Sequence, residues 1–314
     1  MPVPPTQSKR DPLCRPLTVW LLALVCCALW GSAFPCIKFG YEMLQISQSD
    51  TAAQILFAGC RFTLAGLLVI AFGSIGKKSL LCPRSAHTWR NVCKLSLLQT
   101  VLQYAFFYIG LANTTATKAS VLTASNVFLA VLIACLLFRQ EKISVGKVLA
   151  CLLGFSGVVL INATGVSAGF SLTGEGFILL SAACYAFSSV LIRQYSQSEN
   201  PVLLSGWQFA LGGAVMIAGG LLCGGRIGHF SPGGALMLVY LAALSAVAYT
   251  LWGVLLQHNP VSRITVFGFM NPVCGVLLSA LLRNEGDLFD IRFLFALILV
   301  CAGIILANMK DRGK

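Results

Sequence analysis

Residues 97–111, LLQTVLQYAFFYIGL, fall on residues 242–256, AALSAVAYTLWGVLL, at an offset of 145. Tyr104 meets Tyr249 and Phe107 meets Trp252, and further along the same offset carries Asn126 onto Asn271. Working outward, FAGCRFTLAG (57–66) falls on LSGWQFALGG (204–213) at 147, with Gly59 on Gly206, Phe62 on Phe209 and Gly66 on Gly213. LWGSAFPCIK (29–38) falls on CYAFSSVLIR (184–193) at 155, with Trp30 on Tyr185 and Lys38 on Arg193, and GVVLIN (157–162) falls on GIILAN (303–308) at 146. A nearly constant offset over many segments is far harder to obtain by chance than any one match. The chain reads as a duplicated unit.

Each copy is built of membrane-type sequence. The 314 residues are 57% apolar and 10% charged, with a mean hydropathy of +0.84, whereas soluble domains carry about 25% charged residues. Apolar runs of roughly 18 residues or more, long enough for a ~30 Å hydrocarbon core, recur along the chain. The ~10-residue alternation of a transmembrane barrel is absent. The expected class is an all-α integral membrane protein. The net charge of +12 sits in short clusters between apolar runs, as membrane orientation requires, so nucleic acid is not an expected partner. The thirteen cysteines are scattered, mostly inside apolar runs and without C-x-x-C spacing. They read as free thiols, with no disulfide framework, metal site or cofactor implied.

Ten spans are expected, at about 17–39, 52–73, 93–112, 118–138, 145–163, 174–195, 203–223, 235–256, 263–282 and 289–308, with bounds good to a few residues. Residues 1–16 form an N-terminal tail, 17–163 the first five-helix repeat and 174–309 the second. Five is odd, so the second copy enters from the opposite side, as in transporters whose site lies between inverted repeats. With both termini cytoplasmic, the first half places Lys9, Arg10, Arg15, Lys77, Lys78, Arg84, Arg90, Lys94, Arg139, Lys142 and Lys147 inside, against Lys38 and Lys118 outside. The second half is weaker: Arg193, Arg263, Lys310, Arg312 and Lys314 inside, against Arg226, Arg283 and Arg292 outside. The expected location is a plasma or inner membrane. Lys38 and Arg193, equivalent in the repeats, are expected to snorkel into the headgroups, with Pro35 allowing a bend.

WGSAFPCIK (30–38), CRFTLAG (60–66), the block LTASNVF…LLFRQEKISVGKVLACLLGFSGVVLIN (122–162) and FGFMNPVCGVLLSALLRNE (267–285) together resemble EamA-type members of the drug/metabolite transporter superfamily. The resemblance covers nearly everything after residue 16. It implies ten helices in two inverted repeats around a central cavity, and movement of small metabolites, often outward. The chain departs from the pattern at Val127, which occupies the position matched to Pro272.

The candidate cavity residues are Trp30, Arg61, Gln99, Gln103, Tyr104, Asn126, Tyr185, Ser189, Tyr249, Trp252 and Asn271. Amide and hydroxyl groups in hydrocarbon need partners, so they turn toward protein or water, where they form either a solute cavity or bonds between helices. Gln99 and Gln103, four apart, are expected on one face with Phe106 or Phe107. Arg61 lies deep in its run, and four readings stay open: a snorkelling charge, backbone carbonyls, a wet cavity, or a negatively charged substrate group. No acid lies deep in any span, Glu175 coming nearest, and His87, His229 and His258 fall at loops or a span end. Facilitated exchange or uniport is therefore expected over carboxylate-based coupling.

Gly206, Ala210, Ala214 and Ala218 read as a packing ladder. GVSAG (165–169) fits a nucleophile elbow in letters only, because it lacks the strand and helix that frame one. Asn113 and Asn162 head N-x-T triplets close to the membrane. The expected function is a carrier of amino acids or related metabolites, not an enzyme, with the bilayer and a small solute as partners. The alternatives are a drug or toxin efflux carrier and, from a different class, a lipid scramblase or intramembrane enzyme.

Overall fold

The computed structural model describes residues 11–47, 49–75, 80–161, 170–228, 231–283 and 291–309. Lys9, Arg10, Lys77, Lys78, Asn162, residues 165–169, His229, Lys310, Arg312 and Lys314 lie outside them, as does the side chain of Arg283. Among the described residues there are helices and no strands. Backbone groups in hydrocarbon must pair within their own segment, and an apolar run without period-two alternation does so as a helix.

In chain order the helices are α1 (Pro16–Met43), α2 (Thr51–Ile75), α3 (Ala86–Leu95), α4 (Gln103–Ala112), α5 (Ala116–Ala124), α6 (Asn126–Leu132), α7 (Val145–Ile161), α8 (Phe177–Tyr195), α9 (Pro201–Leu222), α10 (Pro232–His258), α11 (Val261–Thr265), α12 (Met270–Arg283) and α13 (Ile291–Asn308). Three π-helical turns, Ser96–Leu102, Ile133–Leu137 and Leu172–Gly176, join or extend them, and a 3-10 turn at Val266–Phe269 links α11 to α12. Proline at the first turn of α1, α9 and α10 removes only an N–H that has no helical partner there. Side chains of Ser85, Thr115, Asn200 and Ser231 accept N–H groups at the starts of α3, α5, α9 and α10. α1 continues through Pro35.

Eight described helical stretches are long and apolar enough to cross a membrane: Pro16–Met43, Thr51–Ile75, Ala86–Ala112, Lys118–Leu137, Leu172–Tyr195, Pro201–Leu222, Pro232–His258 and Ile291–Asn308. Ten were expected. The described part of α7, 17 residues, extends about 25 Å at 1.5 Å per residue, and the run at 263–282 is interrupted by the 3-10 turn. Outward-facing Leu21, Leu67, Phe72, Leu152, Leu221 and Phe295 are all more than half exposed. In water such a coat would be an aggregation surface, whereas lipid is its natural solvent.

Helices matched by the sequence offset pack on each other, α2 against α9 and α7 against α13. A Cβ on Gly66 would strike the backbone of Ala210 and Gly206, and one on Gly213 the backbone of Thr63 and Gly59. Under the offset of 147 these are the same contact seen from either side. Leu56 meets Gly220 and Val69 meets Gly206, so α2 and α9 run antiparallel. α7 and α13 cross in the same sense: Gly303 touches Ala150 and Gly154, while Gly157 touches Ala296 and Val300. Small residues let the backbones close in. The α9 seam is Gly206, Ala210, Gly213, Ile217 and Gly220, whereas Ala214 and Ala218 are exposed. The expected strict four-residue ladder fails because 3.6 residues per turn drift off a spacing of four, and alternating threes and fours keep the face.

α1 packs antiparallel on α10, from Cys14 beside His258, through Cys26 on the Ala248 carbonyl, to the Met43 carbonyl at Ser231. It also packs on α12, where Gly31 lies against Cys274. The offset-matched counterpart is α8 packing on α4 and α6. All thirteen cysteines are free thiols.

Interactions at the two ends tie the halves together. At one end, Glu141 accepts the N–H and hydroxyl of Ser262 and a 2.8 Å bond from Lys147. Arg193 donates to the carbonyls of Leu256 (2.7 Å), Gln257 and Asn259. It was expected to reach the headgroups, but the unpaired carbonyls and negative dipole end of α10 offer a nearer partner. Lys38 is exposed. At the opposite end, Glu175 accepts from Lys118 (2.9 Å), Thr114 (2.7 Å) and the Ser171 N–H.

Candidate functional site

Midway along the bundle, aromatic rings from α1, α2, α4, α9 and α10 form one connected seam. Phe62 of α2 stacks on Phe209 of α9 at 5.4 Å between centroids. Phe62 tilts against Tyr104 of α4 at 4.5 Å, and Phe209 meets Tyr249 of α10 at 4.9 Å. The circuit closes where the hydroxyls of Tyr104 and Tyr249 hydrogen-bond at 2.8 Å. Two pairs of sequence-matched residues therefore face each other, Phe62 with Phe209 and Tyr104 with Tyr249. Trp30 of α1 extends the seam edge-on, 5.1 Å from Tyr249 and 4.9 Å from Trp252. Tyr185 lies within electrostatic reach of Tyr104 and Tyr249.

Polar groups cross this seam in two matching places. Arg61, 2% exposed, donates from Nε to Ser245 Oγ at 2.9 Å, and its guanidinium lies 5.1 Å from the Phe62 ring centre. Its offset partner Gln208 donates from Nε2 to Gln99 Oε1. One bond joins α2 to α10, the other α9 to the π-helical turn before α4. Both amides are fully buried, where an unpaired polar group is expensive. Gln103 reaches toward the Tyr249 hydroxyl.

The structure thus brings together Trp30, Arg61, Gln99, Gln103, Tyr104, Tyr185, Tyr249 and Trp252. Asn126 and Asn271 stand at the starts of α6 and α12. A Cβ on Gly268 would stand 3.8 Å from Asn126 Oδ1, and Asn271 Oδ1 has no partner among the described residues. Ser189 is buried, and its hydroxyl donates 3.0 Å to the Tyr185 carbonyl one turn back. Gln99 and Gln103 find different partners, Gln208 of α9 for the first and the Tyr249 hydroxyl of α10 for the second. Gln99 lies within the π-helical turn Ser96–Leu102, which bonds i to i+5, and Gln103 opens α4 directly after it. Phe106 packs on Phe177.

Sequence reasoning missed Phe62, Phe209 and Ser245 as site residues. The first two were in plain view as an offset-matched pair. Ser245 carried no signal apart from its place in the repeated segment. Several buried polar atoms in and beside the seam have no partner among the described residues, including Trp30 Nε1, Trp252 Nε1, Gln99 Nε2 and Gln208 Oε1. Buried polar atoms without partners are rare in native folds and call for a reason.

The EamA-like transporter family model matches residues 17–163 and 172–309. A WAT1-related chloroplastic protein of Arabidopsis thaliana is 25% identical over 277 residues, covering 85% of this chain and 64% of its own. This chain thus spans under two thirds of that relative's length. An uncharacterized transporter of Archaeoglobus fulgidus is 28% identical over 296 residues, covering 93% of this chain and 97% of its own. The uncharacterized transporter YvbV of Bacillus subtilis is 24% identical over 303 residues, covering 95% and 93%. A solved crystal structure shares the fold with a TM-score of 0.75 at 17% identity, over 94% of this chain and 98% of that one. With both halves matched by one model and apolar helices to carry it through lipid, the chain belongs to the EamA-like transporter family.

Proposed function

We propose that the chain is a secondary carrier working by alternating access. It crosses the membrane ten times, as inverted five-helix repeats at 17–163 and 174–309 that follow a cytoplasmic tail of residues 1–16. Both termini face the cytoplasm of a plasma or inner membrane, as the lysine and arginine bias favours. The cargo is an amino acid or related small metabolite, moved outward through a pocket on the seam between the repeats. Its candidate contacts are Trp30, Arg61, Gln99, Gln103, Tyr104, Asn126, Tyr185, Ser189, Tyr249, Trp252 and Asn271.

The observation that carries this reading is the meeting of Tyr104 with Tyr249 and Phe62 with Phe209. Matched residues of two copies touch each other only at the axis relating the copies, where such carriers place their site. Antiparallel α2/α9 and α7/α13 pairs support the inverted sense. The interactions at the two ends link opposite repeats, Glu141 to Ser262 and Glu175 to Thr114 and Lys118, and one set must open while the other holds as the repeats rock. Uptake and counterflow in reconstituted vesicles with a panel of amino acids and related acids, at fixed and varied proton gradients, tests the proposal. Tyr104→Ala and Asn126→Ala should abolish flux in folded protein; normal flux in both removes this pocket.

A further inference from the structure

We infer that the cargo carries a carboxylate, or an equivalent organic anion, that docks on the terminal nitrogens of Arg61. The inference rests on the transport reading above. Arg61 is ten residues into α2, so at 1.5 Å per residue it stands about 15 Å from the Thr51 end and about 21 Å from the Ile75 end. Neither end is within reach of an arginine side chain, which removes the snorkelling reading. A charge at that depth is expensive unless paired or solvated.

The protein supplies little of that pairing. Nε is satisfied by Ser245, whose own hydroxyl donates to the Leu241 carbonyl. The two terminal nitrogens have no hydrogen-bond partner among the described residues, although a guanidinium carries five N–H donors. The described carboxylates, Asp11, Glu42, Asp50, Glu141, Glu175 and Glu199, all lie at or near helix ends. The phenols of Tyr41, Tyr104, Tyr108 and Tyr249 come within electrostatic reach of Arg61.

The seam's other unpartnered polar atoms include the donors Trp30 Nε1, Trp252 Nε1 and Gln99 Nε2 and the amide acceptors Gln103 Oε1 and Gln208 Oε1. The indole N–H groups of Trp30 and Trp252 are buried without acceptors among the described residues, and indole can only donate. A cationic cargo would set a second positive charge beside the buried guanidinium of Arg61. A carboxylate supplies acceptors and matches the planar fork of a guanidinium with two parallel bonds. The ring faces alongside suit a flat or apolar body. An ammonium group finds no carboxylate beside Arg61 among the described residues, so a plain acid should bind at least as well as its α-amino counterpart.

The test uses the purified full-length chain in nanodiscs, with intrinsic tryptophan fluorescence as the readout. The probes are matched pairs of acid and primary amide: 3-phenylpropionate, benzoate and cyclohexanecarboxylate, each with its amide. Phenylalanine and phenethylamine serve as amino and cationic comparators. At least one acid should bind about 10- to 100-fold more tightly than its amide, the scale of a hydrogen-bonded charge. Arg61→Gln should bring that pair to within about twofold of each other, and Arg61→Lys should keep a weaker preference for the acid. The inference is overturned if no acid beats its amide on the wild-type chain, or if Arg61→Gln preserves the preference. Should Arg61→Gln fail to yield monodisperse protein, the wild-type comparison and Arg61→Lys decide alone. Flux of neutral or cationic solutes without acid preference sinks this inference and spares the carrier reading. Absence of any solute-dependent flux sinks the carrier reading itself.

Discussion

Gly213→Ala and Gly219→Ala place the same methyl group on the same helix, six residues apart, and should move stability in opposite directions. At Gly213 the new Cβ would lie 2.5 Å from Thr63 Oγ1 and 2.8 Å from the Gly59 carbonyl oxygen, and would strike the Thr63 N–H as well. Much of that obstruction is backbone, so α2 and α9 must separate along a seam that both halves share. Overpacking of this kind costs about 1–3 kcal/mol, against which alanine's better helix propensity returns about 1 kcal/mol. At Gly219 nothing stands within 4 Å, so only the propensity gain remains. The two variants should differ by about 1–3 kcal/mol, with Gly219→Ala at or above wild type. Thermal unfolding in one detergent, followed by intrinsic tryptophan fluorescence, reads both. Equal stability of the two variants, or a less stable Gly219→Ala, would show that α2 and α9 do not meet at Gly213.

Three further outcomes follow from the same geometry. In a double-mutant cycle, Tyr104→Phe and Tyr249→Phe should each leave a buried hydroxyl short of a partner, at about 1–3 kcal/mol, while the double variant costs less than their sum; strict additivity in unfolding measurements contradicts the 2.8 Å bond. Burial acts to raise the Glu141 carboxyl, but hydrogen bonds from Lys147 and Ser262 outweigh it and hold it below its ordinary 4.5. A lowered carboxylate contributes fully above its unfolded value and loses that contribution as pH falls through the folded one. The stability gap between wild type and Glu141→Gln should therefore be flat from about pH 6 to 8 and shrink only in acid; a gap that closes between pH 6 and 8 refutes the assignment. Gly66→Ala, the offset partner of Gly213→Ala, should destabilise to a similar degree in the same melting assay, and a neutral Gly66→Ala would deny that the two contacts are equivalent.

Much of this fold can be read from composition and offset, because lipid leaves the backbone few choices. A run such as Thr51–Ile75 has to be helical, and the pairing of Gly59 with Gly206 and Gly66 with Gly213 already names the tightest interface. What stayed hidden depends on departures from regular helix. The π-helical turn at Ser96–Leu102 leaves no periodic mark in the sequence, and the bond from Gln208 to Gln99 inside it could not be foreseen. The break at Val266–Phe269 divides an otherwise apolar run at a point no composition marks, beyond the small Gly268 and nearby Pro272. Arg61 was conspicuous by its depth, yet its partner Ser245 could not be named from a segment of alanines and leucines. Arg193 shows the competing force most plainly. A snorkelling charge and a helix-capping charge look alike in sequence, and only the position of the Leu256 and Asn259 carbonyls separates them.

The inverted pairing of the two halves is tested most directly by side-specific labelling of single cysteines. Lys142→Cys and Asp287→Cys, each on a cysteine-free background in sealed inside-out and right-side-out vesicles, report the segments 139–147 and 283–292. Labelling of Lys142→Cys from the cytoplasmic side and of Asp287→Cys from the opposite side is the expected result. Labelling of both from one side would mean that the halves are not inverted copies, and that their seam is no transport axis.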